Sequence, residues 1–100
     1  VLDRLHDLVG QARKMLESEQ PDESSIWRAY VAVESAILDL KLAHNLEHER
    51  PPSGPKRNAK KDELISAARK KLKEIDFVGD KKTLLYDLRS CRNALKALLS

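Results

Sequence analysis

Residues 25–47, SIWRAYVAVESAILDLKLAHNLE, carry two apolar patterns at once. Ile26, Tyr30, Val33, Ile37, Leu40 and His44 step by four, three, four, three and four positions, which traces one face of an α-helix. Trp27, Val31, Leu38 and Leu42 make a second seam beside it, with Ala29, Ala32, Ala36 and Ala43 between the two. A helix that buries one face against a core needs an apolar arc of only about 100°. The wider arc here belongs to a helix with more than one neighbour. Either this is the central helix of an all-helical fold, or the seam of Trp27, Val31, Leu38 and Leu42 is an interface for another chain.

The flanking segments have the same period. Leu2, Leu5, Val9, Ala12 and Leu16 alternate steps of three and four, widened by Leu8 and Met15, which predicts a helix over about residues 2–17. Gly10 sits inside it, tolerable where a neighbouring helix comes close. Pro21 biases the preceding residue away from helical geometry, and Asp22, Ser24 or Ser25 can cap the long helix, expected over about residues 25–47. Pro51, Pro52, Gly54 and Pro55 then exclude helix, so a loop is expected at about residues 49–58.

Beyond it, Asn58 is a candidate cap for a third helix over about residues 59–75, whose stripe is Leu64, Ile65, Ala68, Leu72 and Ile75. Gly79 suits the left-handed position after that helix, and Asp80 suits the cap of a fourth, over about residues 81–99, lined by Leu84, Leu88, Cys91, Leu95 and Leu98. Four amphipathic helices without a strand signal predict an all-α, antiparallel four-helix bundle in one domain spanning residues 1–100. Up-down-up-down is the simplest wiring. The loop between the second and third helices is also long enough for a crossover.

Composition narrows the function classes. No apolar run approaches the roughly 18 residues of a membrane span, so no membrane association is expected. Cys91 is the only cysteine and lies in an apolar stripe, which fits a reducing, cytoplasmic setting. The net charge of +3 conceals an asymmetry: residues 1–49 hold 5 basic and 10 acidic residues, residues 50–100 hold 14 and 6. Opposed halves can attract one another in the fold, or the basic half can serve an anionic partner.

His44-Asn45-Leu46-Glu47-His48 resembles the H-x-x-E-H pattern of inverted-zincin metalloproteases over those five residues. The resemblance implies that His44 and His48 share a zinc ion while Glu47 polarises a bound water. Those enzymes draw a third ligand from a carboxylate well downstream. The acids after Arg50 are Asp62, Glu63, Glu74, Asp76, Asp80 and Asp87, and none has the context of a ligand. By position the two histidines read as one at the core edge and one near a helix C-terminus, where the dipole favours a cation.

Arg92-Asn93 resembles the start of the Arg-polar-x4-6-His motif of HEPN-type helical ribonuclease domains, but Leu98 stands where the histidine would be. No catalytic residue, cofactor or metal is therefore expected. His44 and His48 are the metal candidates.

Arg50, Lys56, Arg57, Lys60, Lys61, Lys70, Lys71 and Lys73 are candidates for contacts to a nucleic-acid backbone. No aromatic is interleaved among them to stack bases. The leading expectation is a non-enzymatic interaction module, an adaptor or oligomerising subunit with a protein partner or a second copy of itself. Electrostatic binding of RNA or DNA through the basic loop and third helix is the alternative, and a zinc-binding or hydrolase site at the H-x-x-E-H pattern is a remote one.

Overall fold

A computed structural model of the chain describes residues 2–46, 54 and 58–99. Among these residues four helices follow in order: α1 (Leu2–Met15), α2 (Glu23–His44), α3 (Lys61–Glu74) and α4 (Lys81–Leu98). They form an all-α bundle. Among the described residues there is no strand, and no helix is long and apolar enough to cross a membrane.

Local chemistry sets the helix ends. The Asp22 side chain accepts a hydrogen bond from Ser25 N at 2.8 Å, so α2 starts two residues before the position expected from periodicity. Its last turn closes where Asn45 takes the left-handed conformation at φ 54°, with Leu46 N donating to Lys41 O at 3.1 Å. α2 therefore stops at His44 rather than at residue 47. Leu46, already outside the helix, turns back into the core.

The N-cap of α3 is Lys60, not Asn58, and Glu63 reaches back to accept from Lys60 N at 3.4 Å. Asp80 caps α4 as expected, accepting from Lys82 N at 3.2 Å and from the Thr83 hydroxyl at 3.3 Å. Gly79 is not left-handed. A Cβ there would stand 2.9 Å from Asp76 Oδ2, the far end of an exposed side chain whose other oxygen accepts from Val78 N at 3.0 Å.

The core follows the predicted stripes. Leu5, Val9, Ala12 and Leu16 of α1 are buried with Ile26, Ala29, Val33, Ala36, Ile37 and Leu40 of α2. Leu64, Ala68 and Leu72 of α3 and Leu84, Leu85, Leu88, Cys91 and Leu95 of α4 complete it. Each buried leucine contributes about 1.5–3 kcal/mol of apolar transfer free energy, so the stripes hold the bundle together.

Neighbour relations decide the topology. α1 packs on α2 and α3, and α4 packs on α2 and α3; α2 and α3 stand diagonally opposite. Short connections make α1 antiparallel to α2 and α3 antiparallel to α4. The α1–α3 pair is also antiparallel, because Arg13 bonds Leu72 O while Arg69, earlier in α3, bonds Leu16 O, later in α1. His6, near the start of α1, stacks on Phe77 with ring centroids 3.8 Å apart, continuing the same register.

It follows that α2 and α3 point the same way, and the order is up-down-down-up. The simplest wiring does not occur. The end of α2 and the start of α3 therefore lie at opposite ends of the bundle, and every adjacent helix pair is antiparallel; most of the loop expected at about residues 49–58 lies outside the described residues.

Candidate interaction surface

The face of α2 turned away from the core is apolar. Trp27, Val31, Leu38 and Leu42 are 47%, 56%, 55% and 65% exposed. At 100° per residue they fall within an arc of about 60°, opposite the buried Ile26, Val33 and Leu40. The helix is thus apolar on two sides because only one of its stripes meets α1 and α4.

Trp27 is held in place although exposed. Its ring meets Tyr30 edge-on, with centroids 5.8 Å apart and planes at 85°, and Tyr30 packs in turn on the core. Beside it, Leu8 and Met15 of α1 with Trp27 and Val31 of α2 line an open cleft of about 570 Å³. The charged border of the stripe is fixed on both flanks. Toward α1, Arg4 Nε lies 2.6 Å from Asp39 Oδ2, close in distance but without an aligned hydrogen bond. Toward α4, Arg92 pairs with Glu34 at 3.1 Å.

Other candidate residues are less well gathered. Arg50, Lys56, Arg57 and His48 lie outside the described residues. Lys60, Lys61, Lys70 and Lys73 are exposed. Lys61 and Lys70 are nine positions apart, about two and a half turns, so they face opposite sides of α3. Lys71 is only partly exposed and its charge is balanced within the fold, 3.6 Å from Asp87 and 3.9 Å from Glu74.

His44 is exposed rather than at the core edge. The helical register that would align it with His48 ends at His44 itself. No cluster of three or more metal-ligating side chains occurs among the described residues. Arg92, which opens the ribonuclease-like pattern, is engaged by Glu34 and by Asn93 Oδ1 at 2.9 Å.

Sequence reasoning missed two arginines that tie α1 to α3. Arg13 donates through Nε and Nη2 to Leu72 O at 3.0 and 2.5 Å. Arg69 donates to Leu16 O at 2.6 Å and also to Ser18 O, just beyond the end of α1. Each guanidinium satisfies carbonyls near the C-terminal end of the other helix, where orphan acceptors concentrate. Arg13 in a last helical turn is a faint signal. Nothing in the sequence says that its acceptor is 59 residues away.

Comparison with family models, with curated proteins and with solved structures finds no match to this chain.

Proposed function

We propose that the protein is a non-enzymatic helical interaction module whose docking surface is the outer face of α2. The single observation that carries this is the stripe of Trp27, Val31, Leu38 and Leu42, four large apolar side chains left open to water in line on one helix. Scattered single apolar residues on a surface are ordinary, whereas four aligned on one helix face support a binding role. The fixed Trp27 ring supplies an anchor of the kind that dominates binding energy. A cytoplasmic location belongs to the same proposal, supported by the unbridged, buried Cys91.

A photo-crosslinking amino acid placed at Val31 tests the reading in the protein's own cell, with the same group at exposed Ser66 of α3 as control. Protein adducts are expected from position 31 and not from position 66. Equal yields, or none from 31, would remove the docking surface.

The nucleic-acid reading has weaker support, since its exposed lysines do not converge on one face of α3. Its own test is the salt dependence of binding to a homogeneous RNA, and loss of binding on charge reversal at Lys70 and Lys73.

A further inference from the structure

We propose that the cleft where α1 and α3 meet is a binding site for a phosphate group, free or as the monoester of a small molecule. None of the residues that form it belongs to the outer face of α2, so it stands or falls independently of the docking surface. Arg13, Leu16, Glu17, Arg69, Leu72 and Lys73 line an open volume of about 610 Å³. Three of these six are cations and one is an acid.

The cleft differs from the rest of the surface in how its arginines are held. Arg4 and Arg92 face the carboxylates of Asp39 and Glu34. Arg13 and Arg69 bond only main-chain carbonyls: Leu72 O for the first, Leu16 O and Ser18 O for the second. A carbonyl fixes the direction of a guanidinium without cancelling its charge. Among the described residues no ion pair involves Arg13, Arg69 or Lys73.

The crossed bonds run from Arg13 to Leu72 and from Arg69 to Leu16, so the two guanidinium groups are held about one helical turn apart. In both, Nε and Nη2 face the carbonyls, which leaves the two N–H donors of Nη1 for a ligand. Planar, forked donors set in advance suit the oxygens of a phosphate, and exposed Lys73 adds a point charge beside them. The ends of α1 and α3 contribute about half a negative charge each, and Glu17 a whole one. Three cations outweigh them.

Titration of the full chain with inorganic phosphate at constant ionic strength, followed by two-dimensional amide and arginine Nε–H NMR, tests the site. Saturable one-to-one shifts are expected at Arg13, Arg69 and residues 16–18, with none from chloride. Lys73→Gln, which removes an exposed cation with no partner, should weaken binding roughly two- to fivefold. Glu17→Gln, which removes the one carboxylate, should strengthen it. Asp3→Asn makes the same change of charge ten positions from Arg13, about 15 Å along α1, and should leave it unchanged. Glycerol 3-phosphate binding more tightly than inorganic phosphate would make the ligand a monoester, and weaker binding would make it free phosphate.

Shifts that chloride reproduces overturn the proposal, as does a phosphate affinity that Lys73→Gln and Glu17→Gln leave alone or that Asp3→Asn raises as much as Glu17→Gln. Binding of a homogeneous RNA at these residues, with no binding of either small phosphate, overturns it in favour of the nucleic-acid reading.

Discussion

Gly10 lies within α1 on an exposed face, and nothing comes within 4 Å of where its Cβ would be. The close helix approach that would justify a glycine does not occur there. Glycine in an exposed helix interior is about 1 kcal/mol less favourable than alanine, so Gly10→Ala should raise stability by about that amount. Urea unfolding followed by circular dichroism measures it, and an unchanged or lower midpoint would show that Gly10 has a role the local geometry does not reveal.

Asp22 makes an opposite prediction. The Ser25 backbone N–H, and after it the Ser25 side chain, hold the Asp22 carboxyl below its ordinary value. A carboxylate whose folded pKa is depressed contributes stability that is full above its unfolded pKa, about 3.9, and is lost as pH falls through the lower folded value. Asp22→Ala should therefore unfold at lower urea than wild type at pH 7. The gap should narrow below about pH 4 and close in stronger acid. A gap of equal size at both ends of that range would mean that the charged cap is not what Asp22 contributes.

At the scale of elements, the α1–α3 contact is the slightest of the four helix pairings. Arg13 and Arg69 strengthen it by bonding carbonyls across the gap rather than by burying apolar area. A hydrogen bond from a charged donor is worth about 1.5–3 kcal/mol. Arg69→Ala, which removes bonds to both Leu16 O and Ser18 O, is expected to lower stability by about 1–2 kcal/mol, water taking part of the lost role at the exposed Ser18 carbonyl. Hydrogen exchange should quicken at the end of α1 more than in α4, and a uniform change across all helices would argue against a local tie.

The elements are also where sequence reading succeeded most. Each stripe was legible because burial on a helix repeats every three or four residues whatever the partner is. The ends were less so. α2 begins at Glu23 and ends at His44 because of one side-chain cap and one left-handed asparagine, local choices that apolar period does not record. The surface of Trp27, Val31, Leu38 and Leu42 was visible as a second seam, but a second seam reads the same whether another helix covers it or water does.

For the whole molecule, the crossover wiring yields the sharpest expectation. α2 and α3 point the same way in a bundle whose longest dimension is 33 Å. Joining Leu46 directly to Asn58 would bring within one peptide bond two chain ends that belong at opposite ends of the bundle. That deletion should abolish cooperative unfolding and much of the helical circular dichroism. In an up-down-up-down bundle the same deletion would be mild, so a stable deletion variant would contradict the helix directions derived from Arg13, Arg69 and His6.

The balance of charge belongs to this scale as well. Acidic and basic halves were expected to complement one another, and Glu34 with Arg92 does so between α2 and α4. Lys71 is instead balanced by Asp87 and Glu74 of its own half, because α3 sits diagonally from acidic α2 and does not touch it.

By itself the sequence determined the four helices of the described residues, most of the stripe that each buries, and that the second carries apolar residues on two sides. These are local properties, set by side-chain period, proline and caps. Tertiary structure alone decided that α4 rather than α3 lies beside α2, that Arg13 and Arg69 reach across to each other's helices, and that the second seam stays open. The reason is that an apolar stripe is non-directional: it demands burial without naming its neighbour, and only the packing of all four helices together assigns one.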